Sequence, residues 1–427
     1  MLRRGVPSLV LLALGASPLA AQGLRQKIAS ELFTYGTCGL PLCLQGSLVG
    51  HENHFIPAQA TGTASIISFL TSAVGVSVAN VPVSAASSGA TFRFEGGLPV
   101  KTSGSAGPVF GERSQTLGRG RFFLGTNVSV MNFDRLRGIP LDHLSLNFAH
   151  QNTGGPNFGD PVFENEVVQV NVALDVSLVV TSFFASVGLV DGVDLGVSVP
   201  VVHTSITGRS VAQVIPFGAG TPHRFATDTA GNPVLTAVAG TEGSATGVGD
   251  VSARLKINIA QSQSFGVAVL ADARFSTGDE ENLLGAGAFA GRGMAIVSAR
   301  FGDFAPHGNL GYVFRDSELQ NDAIVATIGF DQLLGPWATM AFDLLTEWQV
   351  GTSQLELPGP IVFDVPYVRS VAATNLPSRR DDLMSASLGF KFTTPRGIHL
   401  VINALFPLRD AGLQPNAVWT GGLEYNF

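Results

Sequence analysis

VVQVNVALDVSL, residues 167–178, carries valine or leucine at every second position. Val168, Val170, Val172, Leu174, Val176 and Leu178 alternate with Gln169, Asn171, Ala173, Asp175 and Ser177. Successive side chains of a strand point to opposite faces, so this stretch is an extended strand with one apolar and one polar face. VSARLKINI (251–259) repeats the pattern, with Val251, Ala253, Leu255, Ile257 and Ile259 set against Ser252, Arg254, Lys256 and Asn258. So does MSASLGFKF (384–392), where Ser385, Ser387, Gly389 and Lys391 interrupt Met384, Ala386, Leu388, Phe390 and Phe392.

Several of these segments reach the roughly 9–11 residues that a tilted strand needs to cross a bilayer. Strands of a soluble sandwich usually span about 5–6 residues. Reading back from the C-terminus places strands at 414–427, 398–406, 381–393, 337–349, 321–332, 308–315, 290–301, 265–275, 249–259, 193–207, 164–186, 142–150 and 120–133. The links at 394–397, 332–336, 302–307, 260–264 and 188–192 are short and fall at one end; the longer ones at 350–380, 276–289 and 208–248 fall at the other. Short periplasmic turns and long outer loops are the mark of an outer-membrane barrel, which in single-chain bacterial proteins has an even strand count. A further strand in GATFRFEG (89–96) brings the expected number to about fourteen, with twelve the alternative if a short segment is not part of the wall.

Composition agrees. Only 13% of the 427 residues are charged, and mean hydropathy is +0.30. No mature stretch of 18 or more apolar residues offers a spanning helix. Arg3 and Arg4 precede an apolar run ending at Ala20 and Ala21, which reads as a signal peptide over residues 1–21. Its removal takes the formal charge from −7 to −9 and argues against nucleic-acid binding. Cys38 and Cys43, the two cysteines, suit a local disulfide in an exported protein. Residues 22–88 lack strand periodicity and read as a plug-like or periplasmic segment preceding a barrel over 89–427. Within them Ile66, Ile67, Leu70 and Val74 stand at helical spacing.

TGVGDVSARLKINI, LADARFSTGDEENLLGAG, FAPHGNLGYVF and the closing LVINALFPLRDAGLQPNAVWTGGLEYNF resemble the outer-membrane transporter family associated with phenol and aromatic meta-pathway degradation. That family is similar to the long-chain fatty-acid outer-membrane transporters, with their fourteen-stranded barrel and N-terminal hatch. The resemblance implies passive uptake of small hydrophobic compounds (aromatics, hydrocarbons or fatty acids), with no cofactor and no catalysis. A general diffusion porin for small polar solutes is one alternative, and a membrane-embedded esterase or phospholipase acting through Ser205 and His203 is another.

Six groups of residues bear on function. Ile361, Phe363, Val365 and Tyr367 make an outer loop unexpectedly apolar and are candidates for ligand capture or for packing on the rim. Arg254, Lys256, Asp272, Arg274 and Lys391 fall on the polar, lumen-facing side of their strands, where they tune solute passage or brace the interior. Leu423, Tyr425 and Phe427 form an apolar terminal face resembling the signal read by bacterial barrel-assembly machinery, with lipid and lipopolysaccharide as the surroundings. His203 and Ser205 share the face of Val197, Val199 and Val201; an H-x-S pattern on a barrel exterior resembles outer-membrane phospholipases, but a hydrolase needs a third group to orient its base. Asp279, Glu280 and Glu281, and separately His51 and His54, are too few or too poorly spaced to define a metal site.

Overall fold

Twelve antiparallel strands close on themselves in the computed structural model, which describes residues 22–36, 38–46, 53–57, 60–79, 92–95, 98–101, 105–151, 165–217, 223–364 and 367–427. The expected signal peptide lies outside the described residues. In chain order the barrel strands are β1 (Phe122–Leu136), β2 (Val167–Val190), β3 (Val193–Ile215), β4 (Ser252–Gln261), β5 (Phe265–Arg274) and β6 (Ala290–Ala299). They continue as β7 (Phe304–Arg315), β8 (Ala323–Gly335), β9 (Ala338–Gln349), β10 (Leu383–Thr393), β11 (Ile398–Pro407) and β12 (Leu413–Asn426). Each pairs with its neighbours in sequence, and β12 closes on β1 with Trp419 opposite Val130 and Tyr425 opposite Leu124. Closure leaves no open edge in the membrane, where an unpaired backbone group costs several kcal/mol.

Two expected strands are not part of the wall. Phe92–Glu95 pairs with Leu98–Lys101 in a separate two-stranded ribbon. Leu144–Ala149 pairs with β2 alone: β1 leaves β2 after Phe133 opposite Val176, and the chain returns at Leu144 opposite Val172 to take over the same edge. The connections of two to four residues (191–192, 262–264, 300–303, 336–337 and 394–397) all lie at one end, as expected; the long links spanning 137–166, 216–251, 275–289 and 350–382, with the shorter 316–322 and 408–412, lie at the other.

The outward face of the wall is apolar. Val128, Val130, Val197, Leu255, Val269, Leu310, Ile328, Leu400 and Leu423 are all exposed, forming the band that meets lipid in an outer-membrane barrel. Trp337, Phe304 and Phe265 ring the short-turn end, and Tyr312, Phe314 and Trp348 the long-loop end, in the positions of interfacial aromatic girdles.

β2 and β3 are about twice as long as the other strands, at 24 and 23 residues, and stand beyond the barrel at the long-loop end. There Leu144–Ala149 flanks β2, and Thr236–Val248 flanks β3 from Val201 to Gln213. The apolar face of this extension is not the expected one. Val168, Val170, Val172, Leu174 and Val176 are buried and point inward, while Asn171 and Asp175 are exposed on the outside. Lower on the same strand the sense reverses, so that Phe183 is exposed outward and Ser182 and Ser186 are buried inward. The sidedness changes because the surroundings change from water to lipid on the outer face.

The described residues among 22–79 cover the inner face of the extension. Helix α1 (Leu24–Ser30) and the 3₁₀ turn after it contribute Leu24, Ile28, Leu32 and Phe33; helix α2 (Thr61–Ala79) contributes Ile66, Ile67, Leu70 and Val74. These join Val168, Val170, Ile206, Ala212 and Val214 in one buried cluster. The described part of the N-terminal segment therefore packs at the long-loop end. Arg25 N–H donates to Glu281 O (2.9 Å), and the Arg25 guanidinium lies 3.7 Å from Glu280 and 3.9 Å from Glu281, so the acidic loop fastens the cap. Tyr35 bonds Ser210 Oγ at 2.9 Å inside the cluster, where burial pushes its phenol above the ordinary value. Cys38 and Cys43 form the expected disulfide in this segment.

Ser129 and Thr420 face each other across the β1–β12 seam with hydroxyls 2.8 Å apart. A Ser129→Cys/Thr420→Cys variant is expected to form an intramolecular disulfide on export, seen as a reductant-sensitive mobility shift of the boiled protein. Two free thiols in the folded barrel would contradict the closure.

Candidate functional site

Residues 105–117 cross the lumen near its short-turn end and bond to the wall almost residue by residue. Ala106 N–H donates to Thr339 Oγ1 (3.1 Å), and Phe110 and Gly111 N–H donate to Asp343 Oδ2 (3.1 and 3.3 Å). Asn309 accepts from Glu112 N–H (2.8 Å) and donates to Glu112 O (2.9 Å). Ser114 N–H donates to Ser298 Oγ (3.1 Å), and Leu117 N–H reaches both oxygens of Asp194 (2.9 and 3.1 Å). A segment without strand or helix has no partners of its own for these groups, and the wall supplies them.

Charge reinforces the seat. Arg113 pairs with Asp331, which also accepts from Ser105, and both Arg113 and Asp331 are buried. His307 Nε2 lies 2.7 Å from Asp343 Oδ1. Gly111 makes the close approach possible: a Cβ there would fall 2.1 Å from His307 Nε2 and 2.8 Å from Asp343 Oδ1. This floor lies in the stretch assigned to the barrel by its sequence, whereas the segment expected to plug forms the cap.

Above the floor is a chamber of about 290 Å³. All five expected lumen charges point inward and are paired. Arg254 bonds Glu112 (2.9 Å) and lies 3.4 Å from Asp272; Lys256 bonds Glu112 (3.3 Å); Arg274 lies 4.0 Å from Asp250. Lys391 is held by Glu424 at 3.0 Å, away from the chamber. Arg292, Arg315 and Glu347 join the chamber lining. Their sequence signal was the same parity rule that marked Arg254 and Lys256, diluted by glycine-rich neighbours such as GRG (291–293).

A second space of about 110 Å³ opens higher up, between α2 and strands β1, β10, β11 and β12. Met131, Phe133, Leu355, Leu405, Leu413 and Val418 give it a mostly apolar lining, beside the polar Gln320, Asn321, Gln349, Asp381 and Gln414. Arg315, Glu347, Leu383 and Ser385 line both spaces, and the 2.8 Å Arg315–Glu347 ion pair stands at their junction. Asp381, in the lining of the upper space, pairs with Arg137 at 2.7 Å, and the Arg137 guanidinium lies 5.4 Å from the Phe69 ring centroid.

The loop expected to capture ligand lies on the rim. Ile361–Phe363 pairs with Arg369–Val371, and Phe363 is buried against Arg369, whose guanidinium also stacks 3.6 Å from the Phe217 ring. Tyr367 is exposed with its ring against Phe217, Ile361 is partly buried, and Val365 lies outside the described residues. None of the three described residues lines the upper space, nor does Phe363's partner Arg369.

His203 and Ser205 face outward, as their parity required, but the group on His203 Nδ1 is the Thr246 hydroxyl, at 2.7 Å, and not a carboxylate. His54 stacks on His150 (centroids 4.2 Å apart) beside His223; His51 lies outside the described residues. Among the described residues no group of three or more His, Cys, Asp or Glu side chains has an arrangement that could hold a metal ion.

Residues 151–354, just under half of the chain, match the family model described as the MetA-pathway of phenol degradation. Three of the four stretches that carried the resemblance fall inside that match; the closing one, 400–427, falls outside it. No curated protein matches the chain. An outer membrane channel from Pseudomonas putida F1 is similar in structure at 11% identity and a TM-score of 0.40, over 74% of this chain and 98% of that one. The TodX monoaromatic hydrocarbon channel (a deltaS2S3 mutant) is similar at 12% identity and a TM-score of 0.34, over 73% and 90%. A Pseudomonas aeruginosa FadL homologue is similar at 10% and 0.31, over 72% and 89%.

Gly111→Val is expected to unseat the floor, since overpacking of this kind costs about 1–3 kcal/mol. Ion conductance of the purified variant in planar bilayers should rise several-fold above wild type while the barrel keeps its heat-modifiable gel mobility. Equal conductance in a folded variant would mean that residues 105–117 do not close the lumen.

Proposed function

We propose that the protein is an outer-membrane channel for passive uptake of small hydrophobic compounds. The observation that carries this reading is the apolar space under the cap, lined by Met131, Phe133, Leu405, Leu413 and Val418 and set above a lumen whose floor is occupied. Engineered apolar cavities on the order of 150 Å³ hold a benzene-sized molecule. A single ring therefore needs only slight side-chain adjustment to enter. Lipopolysaccharide retards apolar solutes, and an apolar vestibule beyond the membrane gives them a partitioning step that open water does not. Ile361 and Tyr367 act at the rim in this reading, delivering solute to the space below, while Phe363 holds the loop in place; Val365 is assigned to the same role from its sequence position alone.

A general porin is disfavoured by the floor, since polar solutes need a continuous wet bore. The esterase reading is disfavoured by the hydroxyl on His203, since an activated nucleophile requires a base oriented by a third group. In the same reading Leu423, Tyr425 and Phe427 form the assembly signal; all three are exposed, and Phe427 stacks on Phe122 at 5.5 Å to finish the seam.

Cells carrying the protein should take up labelled toluene faster than cells lacking it, and Phe133→Asp should remove most of that gain. A loss of about 1.4 kcal/mol of vestibule affinity lowers occupancy about tenfold. Equal uptake by both strains, together with ohmic ion flow through the wild-type barrel, would overturn the proposal.

A further inference from the structure

The chamber beneath the Arg315–Glu347 pair has two unlike walls. Arginines come from four consecutive strands: Arg254 on β4, Arg274 on β5, Arg292 on β6 and Arg315 on β7. Strand register stacks them, with Asp272 between Arg254 and Arg292, and Arg274 opposite Ala290, itself opposite Arg315. The rest of the lining, from β8, β9 and β10, is apolar or hydroxyl-bearing: Val325, Thr327, Leu345, Leu383 and Ser385. No carboxylate stands there except Glu347, which Arg315 already holds.

The carboxylates near the lower arginines are shared. Glu112 serves both Arg254 and Lys256, and Asp272 Oδ2 lies 3.4 Å from Arg254 and 3.6 Å from Arg292. Two acids thus face three cations. Asp194, opposite Lys256 in register, is turned to the Leu117 N–H. Asp250, the acid nearest Arg274, accepts from Gly278 N–H (3.0 Å) and Ala286 N–H (2.8 Å). Arg292 retains about a third of its side-chain exposure, and among the described residues its Nε has no hydrogen-bond partner.

We propose that this chamber selects single-ring aromatic carboxylates: a flat apolar body against Leu345 and Leu383, with one carboxylate on the Arg292 fork. The assignment rests on the uptake reading and names the class of solute it favours. A guanidinium presents two parallel N–H donors that match a carboxylate. In a partly enclosed chamber that pairing is stronger than at a fully exposed surface. A ligand carboxylate on Arg292 leaves the shorter Arg254–Glu112 and Arg315–Glu347 pairs in place. The chamber volume, at the small end of ligand pockets, accommodates one ring.

Isothermal titration calorimetry on the full-length barrel in detergent tests this with three probes. Benzoate carries both features, benzyl alcohol lacks the charge, and galacturonate lacks the apolar body. Benzoate is expected to bind about tenfold tighter than either, a difference of about 1.4 kcal/mol, and to weaken as salt is raised. Arg292→Gln should erase most of the preference of benzoate over benzyl alcohol, and Arg292→Lys should restore part of it; heat-modifiable mobility checks that each variant folds. Equal binding of benzoate and benzyl alcohol, or of benzoate and galacturonate, overturns the assignment. So does an undiminished preference in a folded Arg292→Gln barrel. Toluene uptake by cells separates the two levels: uptake without a benzoate preference removes only this assignment, whereas no uptake removes the channel reading beneath it.

Discussion

Every backbone N–H and C=O that enters the hydrocarbon layer must be satisfied within the protein. In this chain that requirement is met by a seam, β12 on β1, joining residues nearly three hundred positions apart. Once the seam is closed, the wall fixes which side chains face inward. Inward parity then gathers Asp194, Ser298, His307, Asn309, Asp331, Thr339 and Asp343 into one polar ring near the short-turn end. That ring is what residues 105–117 need, having no secondary structure to satisfy their own backbone. The floor therefore depends on the barrel, and the chamber above it depends on the floor.

The β2–β3 hairpin carries the other half of the architecture. It continues past the membrane without a change of register, yet its two faces exchange character near Val179 opposite His203. Below that level the apolar side meets lipid; above it the apolar side meets helices α1 and α2. One uninterrupted pair of strands thus anchors both the membrane-embedded wall and the cap over its mouth. The apolar space lies where cap and wall meet, and the arginine-lined chamber lies directly below, sharing Arg315 and Glu347 with it. Solute moving inward would leave an apolar environment for an amphipathic one before reaching the floor.

The wall was legible from alternation alone, because a strand two residues out of phase still alternates and lipid rewards only one phase. The strand count was less so. Leu144–Ala149 alternates as well as any barrel strand, and only the pairing partners of β2 reveal that it extends the hairpin. The same ambiguity hid the sidedness of 168–178, since a period of two reports that one face is apolar without saying whether lipid or a protein cap covers it. The helix around Ile66 and Leu70 was visible from its spacing, but the end of the barrel it covers is a tertiary fact. Residues 105–117 left little trace: GERS (111–114) carries charge within a Gly, Ser and Pro-rich stretch, and its meaning comes from Asp331, Asp343 and Asn309, which lie about two hundred residues on.

The central claim is that small apolar solute occupies the space between cap and wall on its way inward. Anomalous diffraction from crystals of the full-length protein soaked in bromobenzene tests this most directly. The account places a bromine peak among Met131, Phe133, Leu413 and Val418. Bromine found on the outward, lipid-facing side chains, with the space beneath the cap unoccupied, would contradict it.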